Sequence, residues 1–364
     1  MIKVIRISTH PSIKKHGVGL HSHKISESDF FKTIFISPSL DVNDLYITPQ
    51  KYILKVSLIK FKKRPLKASF INLFIFHISR IFKLLKFSIY SINIFRKNKT
   101  DVVHIHSPMY ILVAIWAKLS GKLTCITYHG TDYLRVKNSK LYFIFSYLFI
   151  DIGFCISPHM IPEMKSYHKQ TLYSPNGIDS SLFINKMKKR EKIILAVGAL
   201  KREKSYNNLI MAFKRVVNNF PNYSLHIAGE GGLSEELKSL VLNEGLENNI
   251  IFCGNLDKDQ LVEKYNLAEV FILSSNSEGF PKVVLEAIFT GCKVIATDVG
   301  SVSTFLPSKY IIPNESVDNL YEYLVKIIEE KVYEINIDEL KLKYTWSNVI
   351  TNYETAYRNH LSRS

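Results

Sequence analysis

The sequence predicts an α/β protein with two doubly wound domains, each a parallel sheet covered by helices. Short apolar runs alternate with helix-length segments along all 364 residues. These runs are apolar on both faces, which is typical of parallel strands buried between helices. The length fits two domains of roughly 100–200 residues each. A hydrophobic share of 46% excludes an intrinsically disordered chain.

Ten apolar runs are predicted as strands, five in each half of the chain. The first five are 3–8, 33–37, 102–105, 123–128 and 153–157, and the second five are 193–197, 224–228, 250–253, 270–273 and 293–296. The turn-rich SPNGID at 174–179 separates the two series. We therefore expect an N-terminal domain over 1–176 and a C-terminal domain over 177–343.

Positive charge is concentrated in the first half. The net charge is +16; residues 1–180 hold 26 Lys and Arg against 9 Asp and Glu, whereas residues 181–364 hold 22 against 23. Such a surplus raises nucleic acid or an acidic membrane as a partner. Segment 66–95 combines a broad apolar face with interrupting Lys and Arg. A long helix packed on the first sheet and a helix lying in a membrane interface both fit this pattern.

No run reaches the ~18 consecutive apolar residues of a membrane-spanning helix. The apolar stretch at the N-terminus is too short for a signal peptide and predicts a first strand instead. The four cysteines lie far apart and form no CxxC pair. They predict buried free thiols in a reduced cytosolic protein.

The most specific motif is EGFPKVVLEA at 278–287. It follows a predicted strand and opens a helix, with Pro281 in the first turn and Gly291 as the C-terminal cap. The free N–H groups of such a helix start can bind phosphate or sugar oxygens. Glu278 and Glu286 could each accept two hydrogen bonds from a vicinal diol. Two glutamates eight residues apart mean little alone, but this pair flanks a strand-to-helix turn.

Two other signals come from glycines and histidines. HGVGL at 16–20 and AGEGG at 228–232 follow predicted strands, and each fits either a phosphate-approaching turn or an ordinary surface turn. His104 and His106 are taken to alternate along a strand, and only one of them is expected to face the ligand-binding cleft. Neither an Asp-x-Asp nor an HExxH motif accompanies them. The site is therefore expected to be metal-free.

The E-x7-E pattern resembles the family-four glycosyltransferases, which use nucleotide sugars, have two facing Rossmann-like domains (the GT-B fold) and retain the anomeric configuration of the donor. DVVHIHS at 101–107, HGTD at 129–132, PNGID at 175–179, VGALKREKS at 197–205 and the glycine turn of GCKVIATDVGS are also similar, so the resemblance covers nearly the whole chain. YTWSNVITNYETAY at 344–357 resembles the last helix of the family. The resemblance implies that a helix over 344–364 packs back on the first domain.

The resemblance also implies roles for individual residues. Lys204 and the helix start would stabilise the departing diphosphate, Glu278 would hold sugar hydroxyls, and His129 would lie beside the donor sugar. These three are the expected catalytic residues. The expected donor-binding residues are Gly17, Gly19, Gly198, Arg202, Gly254, Leu256, Gly279, Phe280, Pro281, Lys282 and Glu286. Among them, Glu286 would bind the ribose, and Gly254 and Leu256 would line the base pocket. The family needs no bound metal, and no cofactor besides the donor is expected.

Two positions depart from the family pattern. Ala199 stands where the family usually has an Arg, although Lys204 is retained, so a lone lysine compensates the leaving diphosphate less fully. Arg202 or the first domain could supply the missing charge. Thr304 replaces a glutamate often found after the second glycine turn. Both departures concern the donor and leave the expected fold unchanged.

The sequence thus predicts a retaining transferase that moves a hexose-type sugar from a nucleotide diphosphate sugar to a saccharide or lipid-linked acceptor, in bacterial polysaccharide, O-antigen or capsule synthesis. Its basic first half predicts a cytoplasmic protein attached peripherally to the anionic inner face of the cell membrane. A nucleotide-sugar 2-epimerase of the same fold is the main alternative. A nucleic-acid-binding protein is disfavoured, because the aromatic residues near the basic run are mixed into long apolar stretches.

Overall fold

The computed structural model describes residues 1–8, 17–37, 51–55, 70–130, 136 and 138–362. Within these ranges, the side chains of 17–19, 51–55, 70–81 and 95 lie outside the description. The chain forms two compact units. Unit 1 consists of Met1–Gly177 together with Trp346–Ser364, and unit 2 consists of Ile178–Thr345.

Unit 1 is built on a seven-stranded parallel sheet. Its strands are β1 (Ile2–Ile7), β2 (Phe31–Ser37), β3 (Lys51–Lys55), β4 (Val102–Ile105), β5 (Leu123–Tyr128), β6 (Ile152–Cys155) and β7 (Gln170–Tyr173). They are arranged in the order β3-β2-β1-β4-β5-β6-β7. The chain therefore grows outward from β1 in one direction, then returns to β4 and grows in the other.

The helices of unit 1 lie on both faces of this sheet. They are α1 (Gly17–Lys24), α2 (Phe70–Lys97), α3 (Ile111–Leu119), α4 (Lys140–Phe149), α5 (Ile161–Met164) and α12 (Trp346–Leu361). Right-handed connections place α1 on one face and α2, α3 and α4 on the other, because the direction of strand addition reverses between them.

Helix α12 completes the core on the α1 side of the first sheet. Val349, Tyr353 and Tyr357 are buried against Phe31 of β2 and other strand residues. A Cβ at Gly177 would lie 2.4 Å from the Trp346 indole, so only glycine fits beneath the start of this helix. The helix expected over 344–364 forms as α12 and begins two residues later, because Tyr344 ends the preceding helix and Thr345 is extended.

Unit 2 is built on a six-stranded parallel sheet. Its strands are β8 (Glu191–Val197), β9 (Ser224–Ala228), β10 (Ile250–Gly254), β11 (Ala268–Leu273), β12 (Lys293–Thr297) and β13 (Ile311–Ile312), in the order β10-β9-β8-β11-β12-β13. Its helices are α6 (Tyr206–Asn219), α7 (Ser234–Asn243), α8 (Lys258–Leu267), α9 (Lys282–Phe289), α10 (Val317–Glu329) and α11 (Ile337–Tyr344). Strand order reverses between β8 and β11, which makes their carboxyl ends the switch point where open α/β sheets bind ligands.

The structure confirms the α/β class and a parallel sheet in each half, and all ten predicted strands form. Sequence reasoning missed β3, β7 and β13. The first lies in a lysine-rich stretch, the second is only partly buried, and the third is two residues long, so none shows a clear apolar run. The helix expected over 66–95 forms as α2 over Phe70–Lys97, while 66–69 fall outside the described residues.

Two further sequence expectations can be compared with the fold. All four cysteines are free thiols, but only three are buried; Cys253 is half-buried, contrary to expectation. Among the described residues, no helix has both the length and the apolar character needed to cross a membrane.

Candidate functional site

The switch point of unit 2 joins two loops. A 3₁₀ turn, Arg202–Lys204, lies between β8 and α6, and Ser205 follows it in the left-handed conformation with φ of 50°. The loop after β11 is tied to this turn in two places. The Asn276 N–H donates to the Glu203 carbonyl over 2.9 Å, and the Ser274 hydroxyl donates to the Lys204 carbonyl over 2.8 Å. These bonds hold Lys204 and Glu278 at one place, although 74 positions separate them in sequence.

Lys204 and Glu278 form an ion pair at this point. The Lys204 ammonium donates to Glu278 Oε1, and the Ser275 hydroxyl donates to the same oxygen over 3.0 Å. Only 19% and 18% of the two side chains are exposed, so the pair is shielded more than a surface salt bridge. A cation and a hydrogen-bond acceptor are thereby presented together at the edge of the second sheet.

Gly198 makes room for this lysine. A Cβ at Gly198 would lie 2.9 Å from Lys204 Cε and 3.1 Å from the Tyr206 hydroxyl. The Tyr206 hydroxyl donates to the Gly198 carbonyl over 3.2 Å. Burial, with the Glu278 charge as a smaller cause, raises the pKa of Tyr206, which therefore stays a neutral donor. Any side chain at Gly198 would push the Lys204 ammonium out of place.

Three glycines end three adjacent strands of the second sheet. The Gly198 N–H donates to the Ala228 carbonyl, and the Gly229 N–H donates to the Gly254 carbonyl. A Cβ at Gly229 would lie only 2.0 Å from the Gly198 carbonyl oxygen. Of the three positions, only Gly254 has open space where a Cβ would project, so a ligand can approach the backbone closely at the end of β10. Sequence reasoning left Gly229 between a phosphate-approaching turn and an ordinary turn, because its contact with Gly198 exists only in the folded sheet.

Helix α9 begins directly after the E-G-F-P loop. Pro281 is its N-cap, so the helix starts at Lys282, one residue later than the sequence motif suggests. Gly300, at φ of +56°, packs against this loop: a Cβ there would lie 2.6 Å from the Gly279 carbonyl oxygen. Phe280 is buried beside Phe305, with ring centroids 5.0 Å apart. The Phe280 side chain is thus a core anchor, and only its backbone is available to a ligand.

Glu286 stands in the second turn of α9. The Tyr265 hydroxyl donates to Glu286 Oε2 over 3.1 Å. Burial raises the pKa of Glu286, although Lys282 and the Tyr265 bond oppose that rise. Burial likewise lowers the pKa of Lys282, which precedes Glu286 by one helical turn. A ligand that supplied hydrogen bonds to this carboxylate would relieve the cost of burying it.

The remaining unit 2 candidates are less closely connected. Arg202 is exposed on the 3₁₀ turn, and Leu256 is half-buried after β10. Within the part of the chain that the structure describes, the Arg202 side chain does not hydrogen-bond to the Lys204–Glu278 pair, and Leu256 can offer only apolar contact. Gly254 ends β10 with φ of +66° and has open space where a Cβ would project. Thr304 accepts a hydrogen bond from the Tyr344 hydroxyl.

In unit 1, histidines collect at the carboxyl ends of β4 and β5. His106 Nδ1 and His129 Nε2 are 3.2 Å apart, and the rings of His104 and His106 stack with centroids 4.5 Å apart. The expectation that His104 and His106 alternate is therefore wrong, because side chains two positions apart in an extended chain project from the same face of the sheet.

These histidines are neutral. Burial lowers the pKa of His129 to about 3 and those of His104 and His106 well below the usual value, with the Arg6 guanidinium reinforcing the shift for the latter two. Arg6 is fully buried and bonds His104 Nδ1, the Tyr357 hydroxyl and the Ile25 carbonyl. His106 Nε2 is buried and has no hydrogen-bond partner among the described residues.

Sequence reasoning missed His21. Its Nδ1 lies 2.7 Å from Asn176 Oδ1, its Nε2 lies 2.9 Å from the Tyr353 hydroxyl, and its ring centroid is 5.0 Å from that of His129. The only sequence signal was its place four residues after Gly17. Gly17 and Gly19 form the first turn of α1 rather than a loop. His16, Thr131 and Asp132 lie outside the described residues.

The described residues contain no group of three or more His, Cys, Asp or Glu side chains that could hold a metal ion. The histidine cluster of unit 1 is therefore not arranged to hold a metal ion within the described residues. Metal independence itself stays a prediction.

Comparisons with known protein families cover most of the chain. Residues 60–182 match the model described as Glycosyltransferase Family 4, and residues 178–342 match the model described as Glycosyl transferases group 1. The two matches meet at the boundary between units 1 and 2.

Curated relatives are distant and match in part. An uncharacterized glycosyltransferase of Methanocaldococcus jannaschii is 28% identical over 184 residues, which are 46% of this chain and 45% of that protein. An Escherichia coli UDP-Gal:alpha-D-GlcNAc-diphosphoundecaprenol alpha-1,3-galactosyltransferase is 27% identical over 271 residues, 66% of this chain and 69% of that protein. The chain thus spans under half of the first of these relatives.

Solved structures share the fold over the whole chain. Sucrose-phosphate synthase from Thermosynechococcus elongatus has a TM-score of 0.80 at 18% identity, with 100% of both chains covered. HepE from Anabaena, solved in complex with UDP, has a TM-score of 0.75 at 13% identity, with 99% and 100% covered. At such identities the likeness concerns the fold alone.

Proposed function

Because the chain belongs to the GT-B glycosyltransferases, with a family-four segment followed by a group 1 segment, we propose that it transfers a hexose-type sugar from a nucleotide diphosphate sugar with retention of configuration. The observation that carries this proposal is the Lys204–Glu278 pair. It lies at the switch point of the second sheet, beneath Gly198 and before the start of α9. A shielded cation near the positive end of a helix suits a diphosphate.

The proposed chemistry places the acceptor hydroxyl on the side from which the diphosphate leaves. The hydroxyl oxygen forms a bond to the anomeric carbon as the bond from that carbon to the phosphate oxygen breaks. The leaving phosphate takes the hydroxyl proton, so no separate base is needed. Lys204 and the positive end of the α9 dipole, at the helix start over Phe280–Lys282, stabilise the charge that grows on the diphosphate. Because position 199 is alanine, Arg202 is the second cation available on the same turn.

The two glutamates take different parts of the donor in this proposal. Glu278 is oriented by Lys204 and Ser275 and accepts hydrogen bonds from sugar hydroxyls. Glu286 is oriented by Tyr265 and accepts hydrogen bonds from the ribose. The open space at Gly254 leaves room for the base, which Leu256 would also contact. His129, a neutral imidazole, is assigned to the transferred sugar near the reacting carbon.

We further propose a saccharide or lipid-linked acceptor, in bacterial surface-polysaccharide synthesis. The support is the name of the E. coli relative, which places its acceptor sugar on diphosphoundecaprenol. No metal or cofactor beyond the donor is included in the proposal. A nucleic-acid partner is not proposed either, because the site chemistry described above suits a sugar nucleotide.

A thermal-shift panel of UDP-, GDP- and ADP-sugars tests the donor assignment. A ligand that binds only the folded protein stabilises it by about 2.7 kcal/mol at a hundredfold excess over Kd. We expect one nucleotide series to raise the melting temperature of the wild type and to do so far less for Lys204→Ala. Lys214→Ala is the matched control, since Lys214 also pairs with a glutamate in unit 2. If no sugar nucleotide shifts the wild type, the donor assignment is wrong.

The stabilising donor then separates transfer from epimerisation. We expect product only when a polyprenyl diphosphate-linked N-acetylhexosamine or a free saccharide acceptor is present. Isomerised nucleotide sugar in the absence of any acceptor would instead establish the 2-epimerase.

A further inference from the structure

Three helices of unit 1 expose an unusual amount of apolar surface. Of the nineteen exposed large hydrophobic side chains among the described residues, twelve lie on α2, α3 and α4. They are Phe82, Leu85, Ile89, Tyr90, Leu112, Trp116, Leu119, Leu141, Phe143, Ile144, Tyr147 and Leu148. Scattered exposed residues of this kind need no explanation, but a contiguous group marks an interaction site. We call this group the three-helix surface.

The exposed residues form a stripe on each helix. On α3 they recur at Leu112, Trp116 and Leu119, a spacing of four and then three residues that keeps them on one side. The opposite side of α3 is also apolar and is buried against the sheet, through Val113 and Ala117. Such a helix is apolar all round, a pattern expected of fully buried helices. Its outer stripe is therefore exposed, although its composition is that of a buried helix.

The three stripes belong to one surface. Helix α3 lies between α2 and α4 and packs against both, on the face of the sheet opposite α1. The Arg96 guanidinium of α2 lies 5.9 Å from the centre of the Trp116 ring of α3, which joins the first two stripes.

The charge of this surface has one sign. By sequence, helices α2, α3 and α4 contain no Asp or Glu, and their described side chains include six Lys or Arg: Lys83, Lys86, Arg96, Lys97, Lys118 and Lys140. The nearby acidic residue Asp151 is already paired with Lys118 over 2.6 Å. Aromatic and aliphatic side chains interspersed with cations match the boundary between acyl chains and anionic headgroups. Two copies of the surface would instead bring like charges together, which disfavours self-association.

We propose that the three-helix surface docks on an anionic phospholipid bilayer, with its apolar stripes inserted into the interface and its Lys and Arg at the headgroups. Each cation near such a surface contributes ~1 kcal/mol, and the apolar insertion adds a component that salt does not remove. The proposal rests on unit 1 alone. It does not depend on the donor assignment in unit 2.

Flotation with vesicles of phosphatidylglycerol and phosphatidylcholine tests the proposal on the full chain. We expect binding that weakens but persists in 0.5 M NaCl, and much weaker binding to pure phosphatidylcholine. The double variant Leu119→Glu/Ile144→Glu should lower the partition coefficient at least tenfold. Both residues are more than a third exposed, so the substitutions leave the core unchanged.

The control is Leu242→Glu/Leu342→Glu in unit 2. It adds the same two negative charges at leucines that are 64% and 72% exposed, comparable to Leu119 at 68%. We expect this variant to bind vesicles within twofold of the wild type. If both variants lost vesicle binding equally, the effect would come from net charge alone, and insertion of the apolar stripes would be refuted. Unchanged binding by the unit 1 variant would overturn the proposal outright.

Two further measurements decide the remaining outcomes. The chain has two tryptophans, and Trp346 is buried, so a vesicle-dependent blue shift of emission that Trp116→Phe removes is expected. Light scattering without lipid should show a monomer; dimers that Leu119→Glu/Ile144→Glu dissociates would assign the surface to self-association and overturn lipid docking. Sugar-nucleotide stabilisation should be the same in all of these variants, so a failed donor assignment cannot be mistaken for a failed membrane assignment.

Discussion

Removing Lys204 tests the central ion pair, because its loss also leaves Glu278 unneutralised. In Lys204→Ala a bound diphosphate loses a charged hydrogen bond, worth about 1.5–3 kcal/mol. The unpaired Glu278 carboxylate then repels the phosphate as well. Two like charges about 6 Å apart at an effective dielectric constant near 20 interact by about 3 kcal/mol, an upper limit at a partly exposed site. We therefore expect nucleoside diphosphate affinity to fall roughly a hundredfold or more.

The double variant Lys204→Ala/Glu278→Gln separates the two contributions. Removing the carboxylate charge abolishes the repulsion, so affinity should recover roughly tenfold relative to Lys204→Ala. Glu278→Gln alone should bind nucleoside diphosphate at least as well as the wild type, since Lys204 no longer has a competing partner. Its kcat should nevertheless fall, because a contact to the sugar that strengthens in the transition state is weakened.

The assay is calorimetric titration of UDP, GDP and ADP at low salt with chelator present, beside steady-state kinetics. Lys214→Ala controls for the loss of a Lys–Glu pair elsewhere in unit 2. Wild-type affinity in Lys204→Ala would refute the phosphate role and direct attention to Arg202. A double variant that binds no better than Lys204→Ala would refute the electrostatic reasoning.

Three other predictions concern binding and stability. Glu286→Gln should weaken nucleotide binding and leave kcat nearly unchanged, because a ribose contact is uniform through the reaction; a selective fall in kcat would contradict that role. The four buried histidines of unit 1 with lowered pKa, of which His129 is one, stay neutral when folded but protonate near pH 6.5 when unfolded. The free energy of unfolding is therefore unaffected above that pH and falls below it, by about 1.4 kcal/mol for each histidine at pH 5.5. Urea unfolding should show lower stability at pH 5.5 than at pH 7.5. Equal stability at the two pH values would be inconsistent with neutral burial. Gly177→Ala should destabilise unit 1 by about 1–3 kcal/mol, because its Cβ would lie 2.4 Å from the Trp346 ring, whereas Gly232→Ala, with no atom within 4 Å, should melt like the wild type.

Local patterns predicted much of the fold. Buried parallel strands need apolar residues on both faces, so runs such as 102–105 and 224–228 could be located from sequence and form at those positions. The strands that were missed carry lysines, are only partly buried or are very short, and their pairing comes from a neighbouring strand rather than from their own composition. The helix boundary at Thr345 was missed for a similar reason, since the residues on both sides favour helix.

The candidate site shows the same division. The loop around Glu278 and the second-turn position of Glu286 could be predicted, because a strand, a glycine, a proline and a helix lie next to one another in sequence. The Ser275 bond to Glu278 is equally local. The contact of Gly229 with Gly198 and the approach of His21 to His129 could not, because each depends on which strands and helices become neighbours.

Sequence by itself determined the class of fold, the placement of most strands, the excess of positive charge in the first half and the residue types at the donor site. Hydrophobic periodicity and turn chemistry act over a few residues, so they can be read along the chain. Only the tertiary structure decided that Lys204 is paired with Glu278, that His106 lies beside His129, and that three apolar stripes form one exposed surface. Strand order and helix packing bring together residues that are distant in sequence, and no local pattern encodes which of them will meet.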